Sequence, residues 1–293
     1  MADGGAVVRL SPRGDGWLRD GRPWAPPAPL YAVVGKPVAR SLSPPMQAAA
    51  LRAAGIDALY VAVELEPDQW PLLRERAGTL GLRGFNVTIP YKETVVALCD
   101  DLTGTARRAG AVNTVRIDGT RWNGENTDVG GIVDVLARYA QARRGRALVC
   151  GAGGVARAAI LALATLQWPE IVVAARPGDS RRRLEEWLGG EPVAATVRVV
   201  DWGDGTGTGD VETVLAAVPA GVDPRVCLPD GTQPGLWLDL RYGDGTTPPP
   251  EGVTACRDGL EVLVRQGERA FRWWHGRPSP PGVMGAALGL RDG

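Results

Sequence analysis

The chain has a single histidine, His275, and only two lysines, Lys36 and Lys92. One histidine near the C-terminus argues against a Ser-His-Asp hydrolase and against a multi-histidine metal site. The four cysteines, Cys99, Cys150, Cys227 and Cys256, contain no C-x-x-C pair. That pattern fits reduced thiols better than a disulfide frame or a zinc site, and no metal is expected. No run of about eighteen apolar residues occurs, nor a charged start followed by an apolar core. Neither a membrane span nor a secretory signal is expected, and the chain reads as cytoplasmic. Formal net charge is zero, with no block of one sign, so neither nucleic acid nor an anionic membrane is an expected partner.

What is present is ordinary for a folded globular chain: 293 residues, 44% hydrophobic and 23% charged. The length allows one large domain or two of common size. With two lysines among 33 basic residues, arginine supplies the other 31. Arginine carries charge but does not readily give up its proton, so each lysine raises a question about proton transfer.

Residues 1–29 are rich in Gly, Pro, Arg and Asp, with Trp17 and Trp24 but no sustained periodicity. They read as a flexible extension. From Leu30 onward strands and helices alternate. Residues 30–34, 58–63, 84–89 and 110–117 read as strands. Ser43-Pro44 opens a helix, with serine as N-cap and proline at the first helical position. Further helices are expected over 70–77, from Pro90 through Leu98, and over 128–139. A second series begins at Ala147, with strands over 147–150, 171–175, 196–200, 211–218 and 236–240 and helices over 155–166 and 181–188. An amphipathic helix over 259–274 closes it. Such alternation predicts an α/β protein with a parallel, doubly wound sheet.

Gly151-Ala152-Gly153-Gly154-Val155-Ala156 follows a strand and opens a helix. It matches G-x-G-x-x-A, in which the first small residue allows a tight turn, the second lets backbone approach a pyrophosphate, and the third lets helix and sheet pack closely. The helix start adds N–H groups and positive potential for phosphate. The next strand ends at Ala175-Arg176. An NAD enzyme usually carries Asp or Glu there, whereas arginine accommodates a 2′-phosphate. Arg176, with Arg181, therefore points to NADP. NAD stays as the alternative, and a solvated arginine-rich surface is the bland reading.

Ser41-Leu42-Ser43-Pro44 puts two hydroxyls at a helix start, which suits a small carboxylate or serves only as a cap. In Asn86-Val87-Thr88-Ile89-Pro90-Tyr91-Lys92, Asn86 and Thr88 fall on one side of an extended segment. If Pro90 begins a helix, Lys92 lies in its first turn, where the helix dipole favours the neutral amine that a general base needs. Glu125-Asn126-Thr127-Asp128 places a carboxylate at another helix start, and Asn113 follows an apolar strand as a polar amide.

Taken in order, these stretches resemble the shikimate dehydrogenase family. They are 35–37 through Ser41-Leu42-Ser43-Pro44, 84–92, Gly110-Ala111-Val112-Asn113-Thr114, 126–131, 151–154, Asp239-Leu240-Arg241-Tyr242, and Asp258-Gly259-Leu260 followed by Gln266. The likeness spans about residues 30–276. It implies a substrate-binding catalytic domain over 30–128, a Rossmann-type cofactor domain over 129–257, and a C-terminal helical segment over 258–293 that returns to the first domain. It also implies that Ser41 and Ser43 hold a substrate carboxylate, with Asn86 in the same site. Thr88, Asn113, Asp128 and Gln266 would bind ring hydroxyls, and Tyr242 would line the cleft. Lys92 would be the acid/base with Asp128 beside it. Gly151, Ala152, Gly153, Gly154, Val155, Ala175, Arg176, Arg181 and Val218 would form the cofactor site.

The sequence departs from the family in places. Met46-Gln47 replaces His-Asn, Ala175-Arg176-Pro177 replaces Asn-Arg-Thr, Ala216-Ala217-Val218-Pro219 replaces Asn-Ala-Thr-Pro, and Val262 replaces a methionine. The substrate-facing residues are thus kept better than the cofactor edge. The activity implied is reversible NADP-dependent reduction of 3-dehydroshikimate to shikimate. Alternatives are a quinate or aminoshikimate substrate, a non-catalytic metabolite-binding relative, and a folate-linked dehydrogenase. Intact Lys92 and Asp128 argue against the second alternative, and the two serines before Pro44 against the third. The expected partner is a small hydroxylated ring carboxylate, and the chain is expected to be a monomer or homodimer.

Overall fold

The structure is a computed structural model that describes residues 7–139 and 145–290. The chain divides into two compact units, parted at Thr127/Asp128 and again at Gln266/Gly267.

The first unit begins with β1 (Val7–Leu10), β2 (Trp17–Arg19) and β3 (Arg22–Trp24). There follow β4 (Leu30–Gly35), α1 (Ser43–Ala53), β5 (Leu59–Glu64), α2 (Trp70–Arg76) and β6 (Leu82–Val87). Then come β7 (Asp101–Leu102), α3 (Gly104–Ala109), β8 (Thr114–Asp118) and β9 (Arg121–Glu125). These strands form one nine-stranded sheet in the order β3-β2-β1-β5-β4-β6-β8-β9-β7. Its centre, β1-β5-β4-β6, is parallel, and antiparallel hairpins flank it on both sides.

The reading of 1–29 as a flexible extension is corrected for 7–24; residues 1–6 lie outside the described residues. β1 pairs in parallel with β5, and Trp17 is buried in the core with its indole N–H donating to the Leu80 carbonyl at 3.0 Å. Strands of three or four residues are too short to display a period, and their burial depends on partners more than forty positions away in sequence. The single strand expected over 110–117 is shorter. Gly110 ends α3 in the left-handed region, and Asp118-Gly119-Thr120-Arg121 then turns β8 back into β9.

α4 (Thr127–Tyr139) carries the chain into the second unit. That unit contains β10 (Arg146–Cys150), α5 (Gly154–Thr165), β11 (Glu170–Ala175), α6 (Asp179–Gly190) and β12 (Thr196–Asp201). It continues with α7 (Gly205–Thr208), β13 (Thr213–Ala216), β14 (Leu236–Asp239) and β15 (Ala255–Arg257). All six strands are parallel, in the order β12-β11-β10-β13-β14-β15. This is the doubly wound order, which reverses direction between β10 and β13 and opens a ligand crevice beyond their carboxyl ends. The central strands are apolar throughout because helices cover both faces. α5 is buried from Ala156 to Ala164, and each fully buried Ile or Leu there contributes about 1.5–3 kcal/mol.

α8 (Gly259–His275) leaves the second unit at Gln266 and enters the first at Gly267, and α9 (Val283–Ala287) packs against α1. The return to the first unit therefore occurs inside the helix, not ahead of it. From Gly267 on, Trp274 donates to the Val115 carbonyl at 2.9 Å, and Arg116 stacks 4.8 Å over Trp273. Among the described residues, no helix is long and apolar enough to cross a membrane.

Candidate active site

In the first unit, three of the polar residues singled out from sequence, Ser43, Asn86 and Asn113, lie along one buried chain of hydrogen bonds. Ser43 bonds to the Tyr60 phenol, which donates to Asn86 Oδ1 at 2.7 Å. Asn86 Nδ2 donates in turn to Thr114 Oγ1 at 2.9 Å and to the Asn113 carbonyl at 3.2 Å. Thr114 Oγ1 donates to Asn113 Oδ1 at 3.0 Å, which also accepts from the Thr127 backbone N–H at 2.7 Å. Asn113 thus caps the first residue of α4 through its side-chain oxygen. Asn86, 5% exposed, has both amide ends engaged with protein, so its evident work is to align Ser43 with Asn113. Burial pushes the Tyr60 phenol well above its usual range, partly opposed by the Ser43 hydrogen bond. Tyr60 therefore stays a neutral donor. Sequence reasoning passes over it because it lies in an ordinary strand and its partners are distant.

The two serines differ. Ser41 Oγ accepts from the Ser43 backbone N–H at 3.3 Å, and Ser43 is buried. Ser43 is the first residue of α1, while Leu42 occupies the cap position without a side-chain hydrogen bond. The expected serine cap is thus displaced by one residue. Met46 and Gln47, the departures in this helix, are both buried; Gln47 Nε2 donates to the Gly267 carbonyl at 3.0 Å and Met46 packs on the same glycine. Both thus contact α8 at Gly267.

No helix begins at Pro90. The Lys92 carbonyl accepts from the Val112 N–H at 2.8 Å, a bond that takes the place of a helical one, and Val96 bonds back to Glu93. The chain makes only a turn and then a 3-10 segment, Thr94–Leu98. The helix-dipole argument for Lys92 therefore falls away. What holds Lys92 is backbone pairing to Val112 on one side and, on the other, Tyr91, buried edge-on to Trp70 with its hydroxyl donating to the Leu65 carbonyl at 2.7 Å. Thr88 precedes this turn, with its N–H on the Val34 carbonyl at 2.9 Å. The other lysine, Lys36, is an exposed partner of Glu66, whose carboxylate raises its pKa.

In the second unit, Asp128 lies in the first turn of α4. One turn further on, a β-carbon on Gly131 would meet the Gln266 backbone N at 2.9 Å, so the helices bearing Asp128 and Gln266 cross in close contact. Gln266 is 6% exposed, and its Nε2 donates to the Leu263 carbonyl at 2.9 Å. Tyr242 follows β14.

The glycine turn sits at the carboxyl end of β10, beside the end of β13. Gly151 has φ +120°, and a β-carbon there would overlap the Ala217 carbonyl oxygen; Val218 Cγ1 lies 3.5 Å from the same point. The Gly151 N–H bonds to Ala174 and the Ala217 N–H to Cys150. Gly153 and Gly154 have open space where β-carbons would project, and α5 starts at Gly154 with no side-chain cap. Ala152 and Val155 are half-buried beside them. A crevice of bare backbone at a helix start, in the switch position of the sheet, fits a dinucleotide pyrophosphate.

At the ribose edge, Ala175 is buried, and the exposed Arg176 stacks 5.2 Å over Trp202. Arg181 pairs with Glu185 and Asp201. Arg181 thus stands in surface ion pairs, while Arg176 is exposed and backed by Trp202. Two features escape sequence reading: the Trp202 support and a buried Asp239–Arg241 ion pair whose arginine also donates to the Pro219 and Val222 carbonyls. Among the described residues, no cluster of three or more His, Cys, Asp and Glu side chains is placed to hold a metal.

Residues 33–115 match the shikimate dehydrogenase substrate binding domain, and 259–288 match the shikimate 5'-dehydrogenase C-terminal domain. A shikimate dehydrogenase (NADP(+)) of Anaeromyxobacter sp. (strain Fw109-5) is 40% identical over 272 residues, covering 88% of this chain and 95% of the relative. Among solved structures, shikimate dehydrogenase from Aquifex aeolicus matches with a TM-score of 0.73 and 29% identity, over 90% of this chain and 98% of that one. Shikimate 5-dehydrogenase from Thermus thermophilus, solved in complex with NADP(H) and shikimate, matches with a TM-score of 0.71 and 31% identity, over 88% of this chain and 97% of its own.

Proposed function

Because the chain belongs to the shikimate dehydrogenase family, we propose that it catalyses the reversible, NADP-dependent reduction of 3-dehydroshikimate to shikimate. The observation that carries this reading is the buried chain from Ser43 through Tyr60 and Asn86 to Asn113, which fixes hydroxyl and amide groups in the unit matched by the substrate-binding family. Bound NADP supplies the hydride acceptor, and its reduced form the donor.

Every other step falls to the chain's own groups. Ser41 and Ser43 hold the ring carboxylate, and Thr88, Asn113 and Gln266 orient the ring hydroxyls so that the reacting carbon is presented in one pose. The Lys92 amine takes the proton from the hydroxyl oxygen when shikimate is oxidised and returns it to the carbonyl oxygen in reduction. Asp128, in the first turn of α4, supplies the carboxylate that the proton route calls for, and Tyr242 belongs to the cofactor side. Gly151, Gly153, Gly154 and the start of α5 cradle the pyrophosphate, while Arg176 faces the 2′-phosphate. Met46 and Gln47 serve helix packing, so they give no reason to prefer quinate or an amino-substituted ring. The enzyme is proposed to work in the cytoplasm as a monomer or homodimer.

Steady-state rates on shikimate, quinate and aminoshikimate with NADP and with NAD test the proposal. Highest kcat/KM for shikimate with NADP is expected. Inactivity on all three while NADP is bound would defeat it.

A further inference from the structure

Arg241, two residues past the end of β14, spends every donor it has on protein. A guanidinium carries five N–H donors. Nε donates to Asp239 Oδ1 at 2.8 Å; Nη2 donates to Asp239 Oδ2 at 2.7 Å and to Thr247 Oγ1 at 2.9 Å. Nη1 donates to the carbonyls of Pro219, at 3.1 Å, and Val222, at 3.0 Å. Asp239, 2% exposed, also accepts the backbone N–H groups of Arg241 and Thr247. Nothing remains with which Arg241 could grip a phosphate.

What it grips is the loop over 217–222. That loop begins with Ala217 and Val218, the residues pressed against Gly151. Ala216, Ala217, Val218 and Pro219 have no side-chain hydrogen-bonding group of their own, so beyond β13 the loop is held from outside. The same residue anchors two more pieces. Its carbonyl accepts from Gly259 N–H at 2.7 Å, docking the start of α8, and Tyr242 follows it directly.

We propose that Arg241, paired with Asp239, is a positioning residue for the cofactor side of the reaction: it fixes the 217–222 loop against the glycine turn and so sets the width of the NADP crevice. The inference rests on the NADP-dependent reading above.

Direct titration of NADPH and NADH by cofactor fluorescence, on the unaltered chain, R241A and R241K, tests it without requiring turnover. R241A is expected to bind NADPH about tenfold or more weakly, the scale on which a small displacement of binding groups acts. Lysine offers a point charge in place of a planar fork, so R241K is expected to share the defect. Added guanidinium is expected to restore binding to R241A and not to R241K. KM for 3-dehydroshikimate is expected to change much less than NADPH affinity. Should R241A fail to fold, R241K decides alone. A folded variant that binds NADPH as the unaltered chain does would overturn the proposal and leave Arg241 a purely structural residue. If the unaltered chain binds NADPH but reduces no 3-dehydroshikimate, the substrate reading is lost and the clamp stands. Binding of neither cofactor overturns both.

Discussion

The carbonyl oxygen of Ala217 fills the space into which a β-carbon on Gly151 would project. The turn after β10 and the end of β13 are thus in backbone contact, and the glycine also holds φ +120°, which other residues adopt only under strain. Gly153, two positions on, meets no such obstacle.

The two glycines are expected to respond differently to the same substitution. Gly151→Ala should lower the stability of the ligand-free protein by at least about 1–3 kcal/mol, from the dihedral alone. Gly153→Ala should leave stability nearly unchanged yet weaken NADPH binding, because its new methyl group enters the open space proposed for the pyrophosphate. Thermal unfolding and NADPH titration on both variants check this; equal effects on both readouts would refute it.

Lys92→Ala is expected to lower kcat at least about 10²-fold, the usual contribution of a general acid/base. KM for 3-dehydroshikimate should change far less, since Ser41, Ser43 and Asn113 remain. Turnover within a few-fold of the unaltered enzyme would remove Lys92 from the proton route.

Trp17 is 2% exposed and donates to Leu80. Trp17→Ala should cost about 3–5 kcal/mol of unfolding free energy, as large-to-small changes of a buried aromatic do. Urea unfolding measures it. A loss below about 1 kcal/mol would mean that the N-terminal hairpin is only loosely docked.

Burial pushes the His275 imidazole below the ordinary histidine value, and neighbouring Arg277 adds to the shift. The folded protein then binds this proton less readily than the unfolded chain. As pH falls through about 6.5 the unfolded chain is protonated first, and stability declines until the folded imidazole is protonated too. His275→Phe, which keeps a ring against Tyr31, Phe271 and Trp274, should flatten that decline. Unfolding free energies at about pH 8 and about pH 5.5 give the comparison, and an equal fall in both proteins would disprove the assignment.

The parts legible in the sequence are those written locally. The turn at 151–156 declares itself because strand, glycines and helix are consecutive, and the parallel second sheet follows from regular alternation of strand and helix. Lys92 stands out by its motif, but its surroundings do not. The Val112 N–H that takes its carbonyl lies twenty positions away, and no local pattern reveals that the helix is interrupted. The Arg241 clamp is hidden for a related reason: its partners at Pro219 and Val222 are main-chain carbonyls, which leave no side-chain signature. Arg181 shows the converse: it stands where a phosphate ligand is expected, and its ion pairs with Glu185 and Asp201 are not written in the local motif.

Gln47 and Met46 wait for Gly267, which is separated from the first unit's last upstream residue by the whole of the second. On the ribosome, α1 therefore emerges long before its covering helix exists. At common elongation rates the delay is roughly 10–40 s, ample time for an uncovered apolar helix to attract a chaperone. Nascent chains stalled before residue 267 should accordingly carry an exposed surface that the released protein has hidden.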